Sequence, residues 1–124
     1  MKIAVTYEKG NVFQHFGKTK YFKIYEVENN EIKHSEIISN NGITHCALID
    51  NLKKLGVDVL ICGGLGYGAI SKLEGFGIKL YAGVSGFADD AVKDLLNGTL
   101  NYDNSKSCEE ENLHSCGNDI SPLI

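Results

Sequence analysis

Apart from His34, every histidine and cysteine of the chain falls in a stretch that reads as a loop, an element end or the tail. His15 sits in His15-Phe16-Gly17, His45 and Cys46 are adjacent, Cys62 leads into Gly63-Gly64-Leu65-Gly66, and Cys108, His114 and Cys116 follow in the last quarter. Imidazole and thiolate offer the borderline-soft lone pairs that bind iron, zinc and copper. No comparable set of catalytic carboxylates accompanies them. The pattern points to holding something metallic more than to turning over a substrate.

Each position carries two readings. His15 is an exposed loop histidine or a ligand, and Phe16-Gly17 favours a loop that packs down into a defined turn. Cys46 is a small buried residue, or a thiol activated by a helix N-terminus with His45 beside it. Cys62 ends an apolar run and suits the core, while Gly63 and Gly64 behind it would let backbone amides approach an anion. The glycines match neither G-x-G-x-x-G nor a Walker loop. Cys108, His114 and Cys116 place three soft donors within nine positions. That is too few for a closed four-ligand site and matches no zinc-finger spacing. His34, inside a strand pattern, reads as structural.

Composition narrows the classes. The chain has 124 residues, one domain by length, with 43% hydrophobic and 23% charged residues, as a soluble globular protein has. Its 12 cations are all lysines and face 16 acids, for a net charge of −4. Nucleic-acid binding is not expected without a basic surface, and the missing arginines remove the usual bidentate anion clamp. The opening Met1-Lys2-Ile3-Ala4-Val5 does not read as a secretory signal. No apolar run approaches the roughly 20 residues of a membrane span. A cytoplasmic protein with reduced cysteines is expected.

These residues need elements to position them. Ile3 to Thr6 reads as a buried strand and Tyr7 to Lys20 as a long loop. Tyr21 to Val27 and Ile32 to Ile38 form a hairpin around Glu28-Asn29-Asn30-Glu31. Ser39-Asn40-Asn41-Gly42 is a loop, Thr44 is a helix N-cap, and a helix runs from Cys46 to Leu55. Val57 to Cys62 is a strand buried on both faces. A short helix around Ala69, Ile70 and Leu73, a strand from Ile78 to Ala82, and a helix ended by Asn97-Gly98 complete the pattern. Single strands alternating with helices demand parallel crossovers. Ligands in such sheets bind outside the carboxyl ends of the strands. The loops carrying His15, His45-Cys46, Cys62 with its glycines, and Gly83-Val84-Ser85-Gly86 therefore converge on one edge. From Leu100 periodicity fades, so residues 1–100 form the domain and residues 101–124 a polar tail carrying Glu109-Glu110-Glu111 and Pro122.

Ile3-Ala4-Val5, His15-Phe16-Gly17 and Tyr21-Phe22-Lys23-Ile24-Tyr25 resemble the opening of the dinitrogenase iron–molybdenum cofactor biosynthesis family. Gly56-Val57-Asp58-Val59-Leu60-Ile61-Cys62-Gly63-Gly64-Leu65-Gly66 resembles its central strand and glycine turn. Gly77 to Tyr81 with Ala91 to Leu100 resembles its last strand and helix. The chain departs from the pattern at Tyr67-Gly68, where Pro-Arg is usual, and at Lys18, where arginine is usual. The resemblance implies a three-layer α/β/α, ribonuclease-H-like fold with a mixed five-stranded sheet and one antiparallel strand. It also implies that the family's cofactor-associated histidine is His15. Nuclease relatives of that fold place metal-binding carboxylates on the first strand. Lys2 to Tyr7 contains none, so nuclease activity is excluded.

The expectation is a small non-enzymatic carrier of an iron–sulfur or iron–molybdenum-type cluster. His15, His45, Cys46, Cys62, Gly63 and Gly64 form its cofactor edge, and Cys108, His114 and Cys116 are further metal donors. Its partners would be cluster-assembly or cluster-accepting proteins. The alternative is an interaction module of cluster assembly that binds no cluster itself.

Overall fold

The computed structural model describes residues 1–39, 45–65 and 67–103, with His45, Cys46 and Tyr67 described by backbone alone. The elements are β1 (Lys2–Glu8), β2 (Asn11–Val12), a 3₁₀ turn (Phe16–Lys18), β3 (Tyr21–Glu28), β4 (Glu31–Ser39), α1 (His45–Lys54), β5 (Val59–Ile61), α2 (Tyr67–Gly75), β6 (Lys79–Tyr81) and α3 (Ala88–Asn97). Thr44, the expected N-cap, and the loop before it lie outside the described residues.

Five strands form one path in the order β4-β3-β1-β5-β6, and β2 pairs with β1 off that path. β1, β5 and β6 are parallel, with Val5 opposite Ile61 and Ile61 opposite Tyr81. β3 is antiparallel to both neighbours. The expected mixed sheet with one reversed long strand is present. The sixth strand is an addition: the stretch expected as a loop begins by folding back on β1, with Glu8 opposite Asn11. Lys9 and Gly10 both have positive φ, 49° and 91°. That is the signature of the two-residue turn whose twist matches a hairpin. Asn29 and Asn30, at φ 52° and 63°, make the same kind of turn between β3 and β4.

The alternation of side chains along each strand splits the interior into two cores. Ala4, Phe22, Ile24, Leu60 and Cys62 face Leu48, Ile49 and Leu52 of α1 and Leu73 of α2. Ile3, Val5, Tyr25, Val59 and Ile61 face Ala88, Ala91 and Val92 of α3. Helices thus cover both faces, giving an α/β/α sandwich. The near-continuous apolar runs of β1 and β5 follow from burial on both faces, and each buried large aliphatic side chain contributes roughly 1.5–3 kcal/mol. β4 forms one edge and is largely exposed, His34 included.

α3 is tied down at its start as well as by its apolar face. Asp89, in its first turn, accepts hydrogen bonds from Lys23 Nζ at 2.8 Å and from the buried Tyr25 hydroxyl. The bonds from Lys23 and Tyr25 hold the Asp89 carboxyl below its usual range. Burial, then the bond to Asp89, pushes the Tyr25 phenol well up. The helix stops at Gly98, whose left-handed conformation (φ 76°) returns its N–H to Asp94 and Leu95.

Candidate functional site

β5 and β6 end level with one another at Ile61 and Tyr81, and β1 runs past them in the same direction to Glu8, so the loops that follow the parallel strands share an edge. His15 lies there between β2 and β3, and its strand-like backbone pairs with Gly64 after β5. Gly64 N–H donates to Gln14 O at 2.8 Å, and Phe16 N–H donates to Gly64 O at 2.9 Å. His15 is therefore held on both sides by bonds from its chain neighbours to a single glycine. Its carbonyl accepts from Lys18 N–H at 3.0 Å, closing the 3₁₀ turn.

The side chains on either side of His15 have opposite fates. Phe16 is 2% exposed and packs on Phe22 with ring centroids 6.0 Å apart. His15 itself is exposed, with the half-buried Phe13 ring edge-on at 6.3 Å. Burying Phe16 drives the turn into the core and leaves the imidazole outside. The turn packs down on Phe16, as the sequence suggested, with the His15 ring on the exposed side.

Further bonds stitch this loop to the one after β6. Val12 N–H donates to Gly86 O at 2.8 Å, and Ala88 N–H to Gly10 O at 2.9 Å. Gln14 Nε2 donates to Val12 O at 3.0 Å and to Val84 O at 3.1 Å. Thr6 and Phe13 exchange two bonds, Phe13 N–H to Thr6 O and Thr6 Oγ1 to Phe13 O. Gln14 and Thr6 escaped the sequence reading, because neither residue type has a periodic or motif signal for bridging distant loops.

The glycine turn has a structural use that its composition did not announce. Gly63 packs against Gln14, Gly64 N–H is engaged by Gln14 O, and Gly63 O accepts from Gly83 N–H. These glycines let two main chains touch. Cys62 is fully buried in the core on the α1–α2 side. The edge thus brings together His15, Gly63 and Gly64, with the Cys62 thiol turned inward beneath them.

α1 opens at His45, a few residues after β4 ends at the same edge, since Ser39, Tyr21 and Tyr7 lie in one row across the sheet. The side chains of His45 and Cys46 lie outside the described residues, as do Cys108, His114 and Cys116. Among the described residues, no group of three or more His, Cys, Asp or Glu is placed to hold a metal ion. A cleft of about 370 Å³ beside the loop after β6 is lined by Ser85, Phe87, Asp90, Asp94 and Asn101 and contains neither imidazole nor thiol. No helix among the described residues is long and apolar enough to cross a membrane.

Residues 1–98 match the family model described as dinitrogenase iron-molybdenum cofactor. The chain belongs to that family. MJ0580 of Methanocaldococcus jannaschii is 35% identical over 108 residues, covering 81% of this chain and 89% of that protein. The crystal structure of PH0822 superimposes with a TM-score of 0.79 at 29% identity, over 83% of this chain and 95% of that one. The apo form of the orange protein from Desulfovibrio gigas superimposes with a TM-score of 0.71 at 27% identity, over 82% and 92%. For this dinitrogenase iron-molybdenum cofactor family member, the matched region takes in the His15 turn and the glycine turn and stops short of Cys108.

Proposed function

We propose that this chain is a non-enzymatic carrier that holds a preassembled iron–sulfur or iron–molybdenum-type cluster at the loop edge, with His15 as its principal ligand. The observation that carries this reading is the pinning of His15 between two backbone bonds to Gly64, with its imidazole exposed. A donor held rigidly and presented outward loses little freedom on binding, which favours capture of a bulky cargo.

The donor set fits a cargo better than a built-in cofactor. A naked ion needs several protein ligands, whereas an assembled cluster brings its own sulfide shell and needs a few attachment points. One imidazole from the described edge, with His45 and Cys46 at the start of α1 as further donors, suits such reversible attachment. The glycine turn supports the imidazole from behind, and the buried Cys62 packs the floor.

The carrier would act in the cytoplasm between cluster-assembly and cluster-accepting proteins. A second reading, an interaction module without a cluster of its own, draws on the exposed Tyr21, Ile37 and Phe87. Anaerobic titration with cluster and cofactor donors separates the two. Stoichiometric uptake lost in His15→Ala supports the carrier, and no uptake by the folded protein supports the module.

A further inference from the structure

β4 closes one end of the sheet and, among the described residues, pairs only with β3. An edge strand turns half of its backbone N–H and C=O groups away from the sheet, a template for one more strand. Proline or a central bulge would spoil that template. β4 has no proline, and its register shift falls at Lys33, leaving His34 to Ser39 regular.

The two rows of side chains on β4 differ. Glu36 is opposite Ile24 and Ile38 opposite Phe22, so His34, Glu36 and Ile38 share the α1–α2 side of the sheet. Ser35 is opposite Tyr25 and Ile37 opposite Lys23, on the α3 side. One helix covers that side, and it leaves Ile37 51% exposed. His34 and Glu36 are exposed, and neither side chain has a hydrogen bond or ion pair among the described residues.

We propose that β4 pairs with β4 of a second copy of this chain, antiparallel about a two-fold axis at Ser35, joining the two sheets into one. The self-complementarity of the strand selects both the partner and the register. With Ser35 opposite its counterpart, each His34 imidazole meets the partner's Glu36 carboxylate on the same side of the sheet, twice over. Ile37 comes opposite the partner's Lys33, whose aliphatic stem covers it. No two like charges face each other. Centring on Glu36 would set two carboxylates face to face, which is destabilising. Centring on Ile37 would set Glu36 opposite the half-buried Ile38, and centring on His34 would remove both imidazole–carboxylate pairs.

The contact is isologous and closes on itself. Because the paired strands run in opposite directions, the His15 edges of the two copies point opposite ways and both stay open. Dimerisation is therefore independent of the carrier reading, and its failure leaves that reading untouched.

The test is sedimentation equilibrium of the full reduced chain, with neither metal nor cluster added. The parent should show a reversible monomer–dimer equilibrium. His34→Glu turns two favourable pairs into like-charge pairs and should raise the dissociation constant on the order of tenfold or more. His34→Glu combined with Glu36→His should restore it. Both side chains are exposed, so circular dichroism should show the parent fold in each variant. Ser35→Cys checks the register. Directly opposed residues place their Cα atoms about 4.5–5.5 Å apart, within reach of a disulfide. Mild oxidation should link the two introduced thiols, read by peptide mapping, whereas Ile37→Cys should not link. Three results overturn the proposal: a parent that stays monomeric up to about 1 mM, a dimer indifferent to both charge variants, and linking at Ile37→Cys in place of Ser35→Cys.

Discussion

A Cβ on Gly63 would lie 2.5 Å from the Cα of Gln14 and 2.8 Å from its carbonyl oxygen. Both obstacles are backbone, so neither can swing aside. The glycine is there to let the His15 loop lie against the turn after β5, and the presentation of His15 depends on that contact.

Gly63→Ala should therefore lower stability by about 1–3 kcal/mol, the range for overpacking a filled site. It should also displace the His15 loop. Chemical denaturation gives the first effect, and the imidazole resonances of His15 in proton–nitrogen spectra give the second. A variant with parent stability and an unmoved His15 signal would show that the two chains separate without cost.

Phe16→Ala removes the anchor of the same turn. Truncating a buried phenylalanine costs about 3–5 kcal/mol, and Phe16 is 2% exposed against Phe22. Phe16→Leu should recover most of the loss. Amide exchange should speed up first at Phe16 and Gly64, whose N–H groups lock His15. Equal acceleration throughout the chain would mean that the anchor serves the core as a whole.

The element order and the shared edge were legible because they rest on strong local signals: the apolar runs of β1 and β5, the helical spacing in α1 and α3, and Asn97-Gly98. The β1–β2 hairpin was not, since Lys9 carries no turn preference to announce its positive φ. Nor was the work of the glycine turn. The same glycines suit an anion or a crossing main chain, and the crossing of Gln14 leaves no local mark in the sequence. His15 could be singled out because Phe16 and Gly17 follow it. The bond from Tyr25 to Asp89 spans 64 residues, so nothing local in the sequence signals it.

That bond gives a pH dependence of stability on the alkaline side. The folded phenol of Tyr25 has a raised pKa, first from burial and then from Asp89. Its contribution is fully present below the unfolded tyrosine pKa of about 10 and is lost as pH rises from there. Tyr25→Phe should cost about 1 kcal/mol at neutral pH and flatten the decline above it. Denaturation midpoints across the alkaline range measure both. An unchanged slope would place the ionising group elsewhere.

Cys62 offers a test of the inward-facing thiol. It is fully buried, so it should react with an alkylating reagent only after unfolding, and Cys62→Ala should leave cluster uptake intact. Rapid labelling of the folded chain at Cys62, read by mass spectrometry, would contradict its place in the core. Loss of uptake in Cys62→Ala would bring the thiol into the site.

The most direct measurement is anaerobic titration of the full chain and of His15→Ala with iron–sulfur and iron–molybdenum cofactor donors, followed by absorbance and metal analysis. His15 is exposed and its neighbours hold the turn, so the variant should fold as the parent does. Stoichiometric uptake by the parent, lost in the variant, is the predicted result. Equal uptake by both proteins, or none by a folded parent, would contradict a carrier centred on His15.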